Sequence, residues 1–306
     1  MAKILITGGA GFIGSHLAEE LARQGNELVI IDNLRTGKLV NLSNIGHTFI
    51  NADIRDYAVL KSALEGCSSV YHLAALTSVV ESMDKIEECV SINLQGALNV
   101  LKAVRENGVK KICFASSAAV YGDSPELPKI ETMRLDPQSP YAITKVDGEY
   151  YCNLYKDFYG VATVSARFFN VFGERQDPNS AYASAIPIFI RKALSNEPIN
   201  IYGDGTQTRD FIYVKDIVKA LIFLMENNSA GVYNIGYGSK IDINSLVNLI
   251  KELVGSDSAI RYLPERAGEI RHSFASVKKL MDLGFKPDYA LKDGLTRTID
   301  FMRGIE

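Results

Sequence analysis

The apolar run KILIT (3–7) ends in Gly8-Gly9-Ala10-Gly11-Phe12-Ile13-Gly14 and passes straight into GSHLAEELARQG, which reads as a helix closed by Gly25. Few folds tolerate three spaced glycines between a strand and a helix without a use for them. The glycines permit a tight turn and a close approach of backbone. The helix behind them offers free N–H groups and the positive end of its dipole, a place for a pyrophosphate. The spacing is G-x-x-G-x-x-G rather than G-x-G-x-x-G, and taken alone the turn is also compatible with a plain strand-to-helix connection.

Asp32 strengthens the first reading. It ends the second apolar run, ELVIID, 18 residues after Gly14. An acid at that place hydrogen-bonds the adenosine ribose hydroxyls of a dinucleotide. Its charge repels a 2′-phosphate, so NAD is expected rather than NADP, although Arg35 nearby could soften that preference.

The rhythm of the first half supports the same fold class. Short β-rich runs (KILITG, ELVIID, HTFINADI, SSVYHLAA, KKICFASS, VATVSARFF) alternate with helical stretches such as RDYAVLKSALEG, INLQGALNVLKAVRENG and PYAITKVDGEYYCNLYKDFYG. The alternation predicts an α/β fold with a doubly wound, Rossmann-type parallel sheet covered on both faces. After about residue 170 the rhythm breaks into the polar loop NVFGERQDPNSAYASAIP and then shorter mixed elements. We expect a dinucleotide domain over 1–170, with a return segment near 210–226, and a smaller mixed α/β substrate domain over 171–306.

Charge and cysteine usage bound the partners. Net charge is −3, with no basic face for nucleic acid. No apolar run approaches the roughly 18 residues of a membrane span. The glycine-broken N-terminus suits a functional turn better than a signal peptide. Cys67, Cys89, Cys113 and Cys152 are scattered, without C-x-x-C, and read as buried free thiols in a reducing cytoplasm. The four histidines show no metal-ligand spacing, so no metal is expected.

The chemistry is expected at FASSAAVYG (114–122) and PYAITK (140–145). Tyr141 and Lys145, four residues apart on a predicted helix, share one face. A phenol with a pKa near 10 is a poor base at neutral pH. A neighbouring ammonium favours phenolate, and a positively charged nicotinamide acts in the same direction. Ser117, at a strand end, is then placed to hold the reacting hydroxyl.

In this order, TGGAGFIGSHL, Asp32-Asn33-Leu34, HLAA, SSAAVYG, PYAITK, RFFNVFG and GDGTQTRDFIYVKD resemble the extended short-chain dehydrogenase/reductase family over nearly the full chain, and its UDP-sugar 4-epimerases in particular. The family's glycine turn is G-x-x-G-x-x-G. The resemblance implies catalytic Ser117, Tyr141 and Lys145. It implies a NAD site built from Gly8, Gly11, Phe12, Ile13, Gly14, Asp32 and Asn33, with Asp53 and Ile54 at the adenine, Leu73, Ala74 and Ala75 along the cleft, and Asn93, Ser116, Tyr141 and Lys145 nearby.

Relatives that dehydrate nucleotide sugars carry Asp-Glu where this chain has Ala118-Ala119, and decarboxylating relatives place a Glu at the second position. Elimination needs an acid and a base, and two methyl groups supply neither. The resemblance therefore implies oxidation and re-reduction at sugar carbon 4. Tyr141 takes the hydroxyl proton, NAD holds the hydride, and the 4-keto sugar turns its other face before both return. For the substrate it implies Arg209 and Arg266 at the diphosphate, Asn170 at the diphosphate or sugar, Glu269 at the uridine ribose and Tyr202 at the uracil. Ser273 falls where the epimerases restricted to glucose and galactose tend to carry a bulky Tyr. A serine leaves room for a 2-acetamido group, so UDP-N-acetylglucosamine to UDP-N-acetylgalactosamine is the first expectation. UDP-glucose to UDP-galactose, a UDP-uronic acid, and a non-catalytic NAD-binding protein are the alternatives. The helices INLQGALNVLKAVREN and PYAITKVDGEYYCNLYKDFY resemble the family's four-helix dimer interface, which implies a homodimer.

Overall fold

Each β-rich run of the first half becomes a strand, and each amphipathic stretch a helix on the sheet. The structure, a computed structural model, describes residues 1–178, 184–265 and 271–304. In chain order the elements are β1 (Lys3–Thr7), α1 (Phe12–Arg23), β2 (Glu27–Asp32), β3 (Thr48–Asn51), α2 (Tyr57–Ala63), β4 (Ser69–His72), α3 (Val79–Asp84), α4 (Ile86–Val90), α5 (Gly96–Glu106), β5 (Lys111–Ser117), α6 (Pro140–Tyr159) and β6 (Ala162–Phe168). There follow β7 (Asn170–Phe172), α7 (Ala185–Leu194), β8 (Ile199–Tyr202), β9 (Thr208–Arg209), β10 (Phe211–Tyr213), α8 (Val214–Glu226), β11 (Gly231–Ile235), β12 (Ile241–Asp242), α9 (Ile243–Val254), β13 (Ile260–Leu263), β14 (His272–Ser273), α10 (Lys278–Met281) and α11 (Leu291–Arg303).

The main sheet has seven strands in the order β11-β6-β5-β4-β1-β2-β3. From β3 to β6 every pairing is parallel, with Ile4 against Leu28 on one side and Ser69 on the other. The chain winds outward in both directions from the β1–β4 boundary. In open α/β sheets that switch point, at the carboxyl ends of the strands, is where a ligand binds. Leu5, Val29, Ile31, Val70 and Ile112 on the strands pack with Val100, Leu101 and Val104 of α5 and Leu60 of α2, a parallel sheet buried as its apolar runs require.

Local chemistry sets the helix ends. Asp56 caps α2 by accepting the Val59 N–H, and Ser139 caps α6 by accepting that of Ala142, with Pro140 in the first turn. The single helix expected over INLQGALNVLKAVRENG is instead compound. α3 and α4 precede it, and Ser91–Gln95 forms one wide π turn leading into α5. The periodicity is continuous across that turn, so the pattern alone does not reveal it. The wide turn carries Asn93, whose amide binds the Leu76 N–H and C=O and Thr144 Oγ1 (2.7, 3.0 and 3.2 Å). Such turns recur at functional sites.

The chain divides into two compact units. The first comprises Met1–Gly122, Arg134–Phe168 and Val218–Tyr233, and the second Asp123–Met133, Phe169–Ile217 and Asn234–Glu306. Within the second, small sheets form from β7 with β10, from β8 with β13, and from β12, β9 and β14. Asp210, fully buried between β9 and β10, joins them. Its carboxylate accepts the N–H groups of Tyr237, Gly238 and Ala275 at 2.8, 3.0 and 3.0 Å, and its carbonyl accepts the N–H of Asn170. Burial pushes that carboxyl up to about 6 despite the three donors.

Candidate active site

The glycine turn is closed by contacts that exclude side chains. Gly8 has φ +73°, and a Cβ there would lie 2.7 Å from the Ala74 nitrogen at the end of β4. A Cβ on Gly14 would lie 2.1 Å from the Gly8 carbonyl oxygen. Both positions therefore need glycine, Gly8 for its left-handed backbone as well. Phe12 and Ile13 open α1, which carries no acid in its first turn, so no side chain of that turn offsets the positive pole behind Gly11.

Asp32 is buried at the end of β2. Its oxygens accept the Ala10 N–H (3.0 Å) and the Leu34 N–H (2.8 Å), which aims the carboxylate along the turn. Each oxygen keeps a second lone pair for a ribose hydroxyl. Burial raises this carboxyl against the pull of those two donors. Beside it Asn33 donates to Asp53 (3.0 Å), while Arg55 forks onto both oxygens of Asp53 (2.8 Å each) and holds it down at about 2. Arg35, which the sequence leaves free to reach a 2′-phosphate, is instead bound by Glu81 (2.7 Å) and Glu88 (2.5 Å). Ile54 is buried in the core at the end of β3. Leu73 and Ala74 donate their N–H groups to Thr7 at its carbonyl and hydroxyl, and Ala75 follows, so this segment runs along the glycine turn. The cradle, the helix pole and the ribose acid lie at one switch point and fit a dinucleotide.

On the next strand but one from the glycine turn, β5 delivers Ser117, and α6 delivers Tyr141 and Lys145. The Ser117 hydroxyl accepts the Ala119 N–H at 3.1 Å. Lys145 Nζ donates to the Ala115 carbonyl at 2.7 Å and lies 5.6 Å from the Tyr141 ring centre. Burial lowers the Lys145 ammonium to about 8 and raises the Tyr141 phenol, the Ser117 hydrogen bond opposing the latter. The protein alone thus does not depress the phenol as the Y-x-x-x-K spacing suggests, because burial is the largest influence on it. A cationic ring bound beside Tyr141 would act against that desolvation. Ala118 and Ala119 begin the short turn beyond Ser117 and bring only methyl groups.

The Tyr141 backbone is held at both its N–H and its carbonyl. Its N–H donates to Ser82 of α3 (3.2 Å), its carbonyl accepts Thr144 Oγ1 (2.8 Å), and Thr144 in turn accepts Asn93. Ser116 points away from this group and donates to buried Glu149 at 2.5 Å.

In the second unit, Ser273 pairs in register with Arg209 across β14 and β9. The Arg209 guanidinium donates to the carbonyls of Thr208 and Arg271 (2.9 and 3.2 Å). Asn170 Nδ2 donates to the Asp210 carbonyl at 3.0 Å, which brings Asn170 to the other end of the same stretch. Tyr202 lines a cleft with Gly203, Asp204, Gln207, Glu265 and Arg271. Arg266 and Glu269 lie outside the described residues.

Several functional neighbours escape a sequence reading. Thr7, Thr144, Arg167 and Asp210 lie inside motifs already quoted, but nothing in those motifs names their partners, and Ser82 and Glu149 lie in none. Only Glu149, one helical turn beyond Lys145, carries a signal, its i, i+4 spacing.

Residues 4–236 match the model of the NAD dependent epimerase/dehydratase family. The chain is 40% identical over 302 residues to a putative UDP-glucose 4-epimerase of Methanocaldococcus jannaschii, covering 98% of each. It superposes on a UDP-N-acetylglucosamine 4-epimerase from Methanobrevibacter ruminantium M1, solved with UDP-N-acetylmuramic acid, with a TM-score of 0.97 and 41% identity over 100% of this chain and 99% of that one. Against the UDP-glucose 4-epimerase of Thermus thermophilus in complex with NAD the TM-score is 0.92 at 36% identity, over 99% of each. Together with the cradle at Gly8–Gly14 and the acid at Asp32, these likenesses identify the chain as a member of the NAD dependent epimerase/dehydratase family, an isomerase of the epimerase kind with NAD as its cofactor.

Proposed function

We propose that the protein interconverts the 4-epimers of a UDP-hexose, with UDP-N-acetylglucosamine and UDP-N-acetylgalactosamine as the first pair. The observation that carries the reading is Lys145 set 5.6 Å from the Tyr141 ring and bonded to β5, the strand that ends at Ser117, followed by two alanines where an eliminating enzyme needs an acid and a base. NAD, when bound, supplies the acceptor and then the donor of the carbon 4 hydride. Gly8, Gly11, Phe12, Ile13 and Gly14 hold its diphosphate, Asp32 and Asn33 its adenosine ribose, and Asp53, Ile54, Leu73, Ala74 and Ala75 line its cleft.

Tyr141 Oη takes the proton of the sugar 4-hydroxyl, which Ser117 Oγ orients. Lys145 steadies the phenolate that is the working base. When the 4-keto sugar has turned about its diphosphate link, Tyr141 returns the proton on the other face. Arg209, Arg266 and Asn170 grip the diphosphate through the turn, Glu269 and Tyr202 hold the uridine, and Ser273 leaves space for the acetamido group. UDP-glucose and UDP-galactose form the second reading, favoured by the names of two of the relatives above.

Purified protein, with no nicotinamide added, is incubated with UDP-N-acetylglucosamine and with UDP-glucose, and the 4-epimers are separated by chromatography. Preference for the acetamido sugar supports the first pair, and preference for UDP-glucose replaces it with the second. Turnover of neither sends the reading to UDP-uronic acids and then to a non-catalytic protein.

The same reading makes the protein a homodimer in the cytoplasm. Ile143, Tyr150, Leu154 and Phe158 leave an apolar stripe exposed along one face of α6, which supports a helical interface, and all four cysteines are buried and free. No helix among the described residues is long and apolar enough to cross a membrane. Sedimentation at micromolar concentration is expected to give twice the chain mass of 33.6 kDa, and a single-chain mass there would refute the dimer.

A further inference from the structure

Behind Ser117 lies a buried polar network that the proton chemistry above does not use. Glu149 of α6 and Arg167 of β6 form a forked ion pair, with Nε to Oε1 at 2.8 Å and Nη2 to Oε2 at 2.6 Å. Both residues are 3% exposed. Two further arms leave this pair. Ser116 Oγ donates to Glu149 Oε1 at 2.5 Å, and Arg167 Nη1 donates to the Tyr121 hydroxyl at 2.8 Å. Ser116 and Tyr121 are themselves buried, and Ser116 lies opposite Arg167 in the β5–β6 register.

The ends of these arms bracket the segment that carries the reacting hydroxyl. Ser116 directly precedes Ser117. Tyr121 closes the short turn Ala118–Tyr121 that follows it. Between the two anchors the segment's own bond is Ser117 Oγ accepting the Ala119 N–H at 3.1 Å. Glu149 stands on α6 one turn past Lys145 and two turns past Tyr141, so the same helix that presents the base grips Ser116 directly and Tyr121 through Arg167 of β6. Buried ion pairs contribute little net stability compared with apolar packing of the same volume. A rigid fork with two extra hydrogen bonds is, however, a precise spacer.

We propose that Glu149 and Arg167 are positioning residues, which act through Ser116 and Tyr121 to hold the Ser117 hydroxyl against Tyr141. The inference rests on the reading of Ser117 and Tyr141 given under Proposed function. A misplacement of about 1 Å at a reacting group costs on the order of a hundredfold in rate, so a loosened turn is expected to appear in kcat rather than in KM.

Glu149→Gln would leave Arg167 buried against a neutral partner and endanger the fold, so the test cuts the arms instead. Ser116→Ala and Tyr121→Phe each remove one hydroxyl and leave the ion pair intact. Each is expected to lower kcat for UDP-sugar epimerisation by roughly tenfold with KM within about twofold, and to speed amide hydrogen exchange of the Ala119 N–H by about as much. In a Ser117→Ala background, Tyr121→Phe is expected to cost no further activity, because the group it positions is gone. A purely structural role would leave the two losses additive. Parent kcat in both variants, additive losses in the Ser117→Ala background, or exchange at parent rates would each overturn the proposal. If the parent turned over no UDP-sugar, the reading of function would fall, and the exchange rates would still decide whether the two arms hold the serine turn.

Discussion

His72, at the end of β4, offers a sharp test of how dry the floor of the site is. It is 3% exposed. Its Nδ1 meets Thr7 Oγ1 at 2.7 Å, and its ring lies 5.8 Å from that of Phe114. Burial, aided by the positive charge of Lys145, holds the imidazole down at about 3. An unfolded histidine titrates near 6.5. Between those values the unfolded chain carries a proton that the folded protein refuses, so stability is present above pH about 6.5 and is lost as pH falls toward 3. From about pH 7 to about pH 5 the loss is roughly 2 kcal/mol, and it depends only on the folded value lying well below 5. His72→Gln keeps an amide for Thr7 and cannot titrate. Urea unfolding of parent and variant at the two pH values isolates the histidine, because the carboxylates common to both proteins cancel. With a slope of about 2 kcal/mol per molar urea, the parent's midpoint should fall by roughly 1 M more than the variant's. Equal falls in the two proteins, within about 0.5 kcal/mol, would mean that His72 is already protonated or reached by water, and that the floor is not dry.

Further perturbations address the cradle, the base and the second unit. Tyr141→Phe should fold and retain NAD but lose epimerisation by about a hundredfold or more, and full activity would exclude Tyr141 as the base. Gly14→Ala puts a methyl group 2.1 Å from the Gly8 carbonyl oxygen. Calorimetry should find its NAD affinity weakened roughly tenfold or more, whereas parent affinity would show that the turn is not the cradle. Asp210→Ala strands the N–H groups of Tyr237, Gly238 and buried Ala275 at about 1 kcal/mol each. A loss of about 3 kcal/mol is expected in urea unfolding, and a loss below about 1 would mean that those donors find other acceptors.

Much of this molecule is written locally. The Gly8–Gly14 turn, the ribose acid Asp32 and the Tyr141–Lys145 pair are all short-range patterns. Each names a local geometry, a left-handed turn, a strand end or one helix face, that the structure then displays. The wide turn at Ser91–Gln95 was hidden because one extra residue in a helical turn barely disturbs an apolar period. For a related reason, the spacing of Tyr141 and Lys145 reports a shared helix face but not how completely the phenol is withdrawn from water, and burial is the largest influence on it.

Local sequence was enough for the fold class, the glycine turn at the switch point and the helix face shared by Tyr141 and Lys145, because strand alternation, glycine φ preference and helical spacing act over a few residues. Which distant side chains support them follows from the packing. Arg35 finds Glu81 and Glu88, Asn93 finds Thr144, and Glu149 finds Arg167 and Ser116. A buried polar group is satisfied by whichever partner the packed sheet brings within about 3 Å, and that partner's place in the chain is set by the winding of the strands.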